Sequence, residues 1–150
     1  MAVSAKLYGQ FPQNAAGGNA SGDGPMDLLS DSLKLTLHTS TYTPNQSTNE
    51  VKADATNELT TAGGYTALGQ ALGSKTYAAS SLVTSFDAAD VTWTATTITH
   101  RYAVLWDDTV TTPADPLIMY VDNGGDVTTS ASDLTYQWNS APALFQITVA

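Results

Sequence analysis

The chain has 150 residues, of which 42% are hydrophobic and 13% are charged, with a net charge of −9 and no cysteine. This length allows one domain with a sizeable hydrophobic core, and the lack of cysteine excludes disulfides and thiolate chemistry. After Thr76 the only basic residue is Arg101. Because a surface that binds phosphate needs Lys and Arg, we expect no binding to nucleic acid or to an anionic membrane.

The first 25 residues combine a mildly apolar start with a glycine-rich stretch. Leu7, Tyr8 and Phe11 are apolar, whereas residues 12–25 hold four glycines and bury too little surface to offset their ordering entropy. No signal peptide is visible. Two interpretations stay open: a frayed end or first strand on a long loop, or an arm that docks on a neighbouring subunit through Leu7, Tyr8 and Phe11. We predict an arm and linker over residues 1–25 and a single β domain over residues 26–150.

The first clear patterns of the domain are a strand and a candidate helix. In residues 32–39, Leu33, Leu35 and Leu37 alternate with polar side chains, which predicts a half-buried strand. Residues 48–59 fit a short helix capped by Asn49. A stripe of acidic side chains at a spacing of four opposes that helix, because like charges on one helix face repel. The stripe consists of Glu50, Asp54 and Glu58.

Short strands separated by turn residues follow from Tyr65 to the end of the chain. The candidates are residues 66–72, 75–78, 82–86, 91–95, 98–106, 117–121, 134–138 and 143–149. Residues 98–106 become apolar on both faces after Arg101, and residues 117–121 are apolar on both faces throughout. This indicates central strands covered on both sides. Residues 122–126 (DNGGD) are a strong turn signal. The pattern predicts an all-β fold, a β-sandwich or jelly-roll-like domain with a flexible N-terminal arm and at most one short helix.

Few residue patterns in the sequence indicate a catalytic or ligand-binding site. Residues 69–76 approach a phosphate-binding loop, but Ser74 stands where the second glycine is required. His38 and His100 lie on the mostly polar sides of predicted strands, so we expect both to be exposed and not to form a metal site. There is no nucleophile-elbow or His-Glu-x-x-His pattern. We therefore predict no enzyme, no catalytic residue and no cofactor.

The aspartates come in pairs at predicted strand ends: Asp87 with Asp90, Asp107 with Asp108, and Asp122 with Asp126. Turn formation explains them first, because an aspartate side chain accepts hydrogen bonds from nearby backbone amides. A calcium site is the open alternative. Most aromatic side chains fall inside apolar strands and are expected in the core, whereas Tyr65 and Tyr77 in the glycine-rich region are the better candidates for surface contact.

Several stretches resemble a family of small tailed-bacteriophage virion proteins, head-decoration (cement) or tail-associated. They are residues 6–10 (KLYGQ), 37–40 (LHTS), 42–46 (YTPNQ), 63–66 (GGYT), 89–108 (ADVTWTATTITHRYAVLWDD), 116–118, 120–122 and 145–150. Together they cover nearly the whole chain, and residues 89–108 are the most specific. The chain departs from the family pattern after residue 46.

The resemblance implies a capsid decoration protein that stabilises the head through contacts with the major capsid protein. It also implies a homo-oligomer, a trimer, located on the capsid surface after synthesis in the host bacterial cytoplasm. The expected docking residues are Leu7, Tyr8 and Phe11 of the arm. The alternative is a tail or fibre protein that binds a host surface glycan.

Overall fold

The computed structural model describes residues 3–16, 26–138 and 144–148. Within these ranges the chain forms ten strands, a short α-helix and a 3-10 helix. They are β1 (Ser4–Leu7), α1 (Phe11–Ala15), β2 (Leu33–His38), the 3-10 helix (Lys52–Asp54), β3 (Gln70–Ala71), β4 (Thr76–Ser80), β5 (Val83–Asp87), β6 (Val91–Thr96), β7 (Thr99–Asp107), β8 (Leu117–Thr128), β9 (Ser132–Tyr136) and β10 (Phe145–Thr148). The strands pair antiparallel, which confirms the predicted all-β fold.

A five-stranded sheet in the order β1-β8-β7-β2-β3 is the centre of the fold. Its register places Leu35 opposite Leu105, and Leu105 opposite Met119. Because side chains alternate between the faces of a strand, these three residues share one face. That face is buried, with Leu35, Leu105 and Met119 all less than 5% exposed. The predicted strand over residues 32–39 is therefore confirmed as β2.

The opposite face of this sheet is buried as well. Tyr102, Val104 and Trp106 of β7 pack there with Leu117 and Tyr120 of β8. The loop that follows β2 covers them, contributing Tyr42 and Ala55, and Tyr8 joins from the N-terminal segment. The prediction that residues 98–106 and 117–121 form central strands covered on both sides is confirmed.

Two smaller sheets lie against the first face. One is three-stranded, in the order β10-β5-β4, and the other pairs β6 with β9. Phe86 of β5 and Trp93 of β6 are both buried in the main core cluster, and Phe145 of β10 packs against it. We call the three-stranded sheet of β4, β5 and β10 the outer sheet.

The helix predicted over residues 48–59 is wrong, since only the 3-10 helix forms there. Asn49 caps no α-helix; its side-chain oxygen accepts hydrogen bonds from the Asn45 amide and the Tyr42 hydroxyl. Val51 instead forms a β-bridge with Pro116 next to β8. The repulsion among the acidic residues and this tertiary pairing together outweigh the local helical pattern.

The turn predicted over residues 122–126 does not end the strand, because β8 extends from Leu117 to Thr128. It forms a bulge instead: residues 123–126 lie opposite Arg101 alone, Gly124 has a positive φ, and pairing with β7 resumes at Val127 opposite His100. Asp122 supports this course, accepting from the Gly124 amide at 2.8 Å and forming an ion pair with Arg101. Of the predicted strand over residues 66–72, only Gln70–Ala71 forms, since Leu68 and Gly69 have positive φ.

None of the helices among the described residues is long and apolar enough to cross a membrane.

Gly69 tests how closely the chain that enters β3 approaches the neighbouring strand β2. Its φ is +69°, and a Cβ added there would overlap the backbone carbonyl of Leu35. We expect Gly69→Ala to lower the free energy of unfolding by about 2 kcal/mol or more, from backbone strain and this clash. Gly73, with open space at its Cβ position, is the matched control; Gly73→Ala should change stability by less than about 1 kcal/mol. Equal urea midpoints for the two variants would contradict this packing.

Candidate interaction surfaces and buried polar sites

The structure places the predicted docking residues against their own chain. Strand β1 pairs with β8, with Leu7 opposite Met119. Tyr8 and Phe11 are each 1% exposed, and Leu7 is partly buried against the main core. The prediction of a free arm over residues 1–25 is therefore wrong for residues 3–16, because these side chains find apolar partners within the domain.

Tyr8 is the best anchored of the three. Its hydroxyl lies 2.7 Å from the hydroxyl of Tyr42, and its ring is 5.3 Å from that of Tyr120. Burial, reinforced by the neighbouring Tyr42, raises the pKa of Tyr8 far above its ordinary value, so the hydroxyl stays protonated. Phe11 makes an edge-to-face contact with Phe145 at 5.3 Å. Both aromatic side chains connect the N-terminal segment to the domain.

His38 is fully buried, which corrects the expectation of an exposed strand histidine. Its Nδ1–H donates to the Thr56 carbonyl at 2.8 Å, which leaves Nε2 to accept from the Thr36 hydroxyl at 2.9 Å. A hydroxyl group hydrogen-bonded to an imidazole is the smallest arrangement that provides a nucleophile with its general base. Thr36 is also fully buried, however, so no substrate can reach the pair.

His100 is likewise fully buried, on the opposite face of the central sheet. Its Nε2 lies 2.9 Å from the Tyr136 hydroxyl. The Asn123 amide donates to that same hydroxyl at 2.7 Å and to the Arg101 carbonyl at 2.8 Å. Burial raises the pKa of Tyr136 to about 12. This cluster of hydrogen-bonded groups joins β7, β8 and β9.

The cluster forms part of the wall of an open cavity of about 420 Å³ between β1, β8 and β9. Apolar and aromatic side chains, among them Val3, Leu134 and Trp138, line the cavity beside Asn123. A mostly apolar recess with a few polar groups is the usual form of a small-molecule site. Its residues come from distant parts of the chain, so no local sequence pattern indicated it.

Four of the paired aspartates form turn hydrogen bonds or ion pairs: Asp87 and Asp107 accept from backbone amides that follow them, and Asp108 and Asp122 pair with Lys34 and Arg101. Asp107 is fully buried, and one oxygen accepts from the Thr109 and Val110 amides. Burial and the nearby Asp31 carboxylate raise the pKa of Asp107 to about 6. Among residues 3–16, 26–138 and 144–148, no three His, Cys, Asp or Glu side chains come together in a way that could hold a metal ion.

The two tyrosines predicted for surface contact behave differently. Tyr65 is 1% exposed, so that part of the prediction is wrong. Its hydroxyl donates to the Glu58 carboxylate at 2.7 Å, and Glu58 also pairs with Lys52. Tyr77 on β4 is 49% exposed, as expected for a contact residue.

The outer sheet is the least covered part of the described fold. Its inner end is held by the row Tyr77–Phe86–Phe145, in which Phe86 is fully buried. Beyond that row several side chains are exposed, with Leu82 in the β4–β5 turn 62% exposed and Ile147 46% exposed, while residues 83–85 of β5 are half-buried. Residues 76–86 contain no charged side chain, a run visible in the sequence but not singled out there.

No protein-family model, curated protein or solved structure matches this chain.

The burial of Tyr8 leads to a direct test of its role. Tyr8→Ala should lower the free energy of unfolding by about 3–5 kcal/mol, the usual cost of removing a buried aromatic side chain. The matched control is Tyr77→Ala, which removes a half-exposed ring and should cost much less. Urea denaturation measures both variants. A Tyr8→Ala protein as stable as Tyr77→Ala would show that the N-terminal segment does not pack on its own domain.

The histidines give a pH-dependent signal. Burial lowers the pKa of both His38 and His100 from 6.5 to about 4. In an NMR titration at pH 5.5 we therefore expect both folded rings to be neutral, whereas an unperturbed histidine would be mostly protonated. A midpoint near 6.5 for either ring would contradict its burial.

The lowered pKa values of the two histidines also determine how the free energy of unfolding changes with pH. As pH falls from about 6.5 to 4, the unfolded chain binds protons that the folded histidines do not, so both histidines reduce stability in this window. Asp107 has the opposite effect on stability. Because its pKa is raised to about 6 in the folded protein, the folded state binds a proton before the unfolded chain does, and Asp107 increases stability as pH falls from about 6 to about 4.

Proposed function

We propose that this chain is a non-enzymatic structural protein of a bacteriophage virion that decorates the capsid. Its resemblance to small virion proteins implies this role, and the outer sheet is the observation that supports it best. The sheet extends beyond the core and presents apolar side chains with no charge along residues 76–86. The proposed partners are the major capsid protein and further copies of this chain, on the head surface after synthesis in the host cytoplasm.

The chemistry of the outer sheet suits docking by burial of area. Covering Leu82 and Ile147 would contribute about 1.5–3 kcal/mol for each fully buried side chain. No charged group along residues 76–86 would need to lose its hydration. Contacts of this modest size, repeated over many copies that bind only the assembled shell, stabilise that shell by mass action.

The buried polar groups fit a structural role. Both histidines are neutral near pH 7. His38 is fully enclosed and cannot act as a base on an external substrate, and His100 has no exposed surface in the wall of the cavity. The residues proposed here for docking differ from those expected from the sequence. Leu7, Tyr8 and Phe11 hold the N-terminal segment to the domain, and the outer sheet takes over the docking role.

A tail or fibre protein that binds a host glycan is the second candidate. The cavity beside Asn123, Tyr136 and Trp138 favours it, because aromatic rings and amide groups together suit a sugar ring. NMR saturation transfer from the purified protein to a panel of methyl glycosides tests this candidate, with Trp138→Ala as the variant that should lose the signal.

Immunogold labelling of intact virions tests the proposed function. We expect gold particles distributed over the head, because a decoration protein covers the shell in many copies. Gold confined to the tail tip would overturn the decoration role and favour the glycan-binding candidate. Gold absent from the particle altogether would overturn both.

A binding experiment then tests the docking surface. Heads that lack this protein are mixed with wild-type protein, with Leu82→Ser or with Leu68→Ser, and bound protein is measured by sedimentation. Leu68 is 53% exposed but lies outside the outer sheet, so it is the matched control. Binding should fall about tenfold or more for Leu82→Ser and stay unchanged for Leu68→Ser. Equal binding by all three proteins would exclude the tip of the outer sheet from docking.

A further inference from the structure

Among the residues that the structure describes, strand β4 is an edge strand that is hydrogen-bonded on one side only, to β5. All five of its residues, from Thr76 to Ser80, are exposed. The two-residue turn at Ser81 and Leu82 makes Ser80 and Val83 the closing pair of the hairpin. Since hydrogen-bonded and non-hydrogen-bonded pairs alternate along an antiparallel ladder, Tyr77 and Ala79 direct their backbone N–H and C=O groups outward.

This edge lacks the features that usually prevent pairing with another chain. Proteins protect exposed edges with charged side chains, proline, bulges or very short strands. The β1 edge carries Lys6, β3 has two residues, β6 contains a bulge and β9 carries Asp133. Strand β4 has none of these features, and it is longer than β10 at the other edge of the outer sheet.

The charge distribution indicates which partner fits. Two copies that each carry −9 repel one another, and this repulsion is weakest when their contact surfaces hold no carboxylate. Residues 76–86 form such a surface. The charges that flank them in the sequence, Lys75 and Asp87, lie at one end of the strand, and Asp27 lines the recess beside Tyr77 at that same end. An antiparallel edge is also self-complementary, because the outward groups of Tyr77 in one copy meet those of Ala79 in the other.

We propose that two copies of this chain pair antiparallel through β4, about a two-fold axis at Ala78. The outer sheets of the two copies then form one continuous six-stranded sheet. This isologous contact closes at two copies and satisfies the outward backbone groups of both edges. The inference goes beyond capsid decoration and does not depend on it.

Analytical ultracentrifugation of the full chain, over a range of protein and salt concentrations, tests the pairing. We expect a mass of two copies at high protein concentration. The dimer should strengthen as salt is raised, because salt screens the repulsion between acidic copies. Ala78→Lys places two like charges opposite each other across the axis and should weaken the dimer at least tenfold. Thr94→Lys, an equally charged change at an exposed position of β6, should leave the dimer unchanged.

Oxidative crosslinking gives a second measurement that does not depend on a destabilising change. The chain has no cysteine, so Ala78→Cys introduces a single thiol. Residues opposite each other in a non-hydrogen-bonded antiparallel pair have Cα atoms about 4.5 Å apart, within the range of a disulfide. We expect a covalent dimer for Ala78→Cys and none for Thr94→Cys under the same oxidation.

A monomer at all concentrations, or equal crosslinking of the two cysteine variants, would overturn the pairing. A mass of three copies, the state that the resemblance implies, would also overturn it, since a β4–β4 contact closes at two. This test does not use the location of gold particles on virions, so the pairing proposal and the decoration proposal can fail independently.

Discussion

Burial of both faces of the β7–β8 pair is the constraint on which the rest of the structure depends. A sheet covered on both sides needs two covering layers, and the chain supplies them from different regions. The loop after β2 and the N-terminal segment cover one face, and the two smaller sheets cover the other. Polar side chains that fall on either face must then find partners away from water, which explains the hydrogen bonds of Thr36, His38 and His100.

The outer sheet stands apart from this arrangement. Its inner row joins the core through Phe86, while its remaining side chains have no covering layer among the described residues. A chain with few charges must hold its surface in water mainly with Thr, Ser, Asn and Gln, and most of this surface does so. Among the described residues, exposed apolar side chains and an unprotected edge occur together in the outer sheet. Its side chains are proposed to contact the capsid, and the backbone groups of its edge are proposed to pair with a second copy.

The strands could be predicted because their alternation is local, as Leu33, Leu35 and Leu37 show. Features that depend on partners distant in the sequence could not be predicted. His38 follows the polar side of its strand, yet the loop that covers that side begins after the strand has ended. Residues 122–126 have turn chemistry, but β7 pairs with β8 on both sides of them, so they form a bulge within one strand and do not end it. The uncharged run over residues 76–86 was readable from sequence, whereas the cavity beside Asn123 required the strand order.

The pairing of β1 with β8 has a consequence for how the protein is made. Ser4 leaves the ribosome early, but its partner Asp122 is synthesised more than a hundred residues later. At about 5–20 residues per second, the first strand therefore waits several seconds before its place in the sheet exists. Contacts of such long sequence separation also slow folding itself. The first strand can therefore enter the sheet only after β8 has been synthesised, and until then Tyr8 and Phe11 lack the partners Tyr120 and Phe145 that they have in the folded chain.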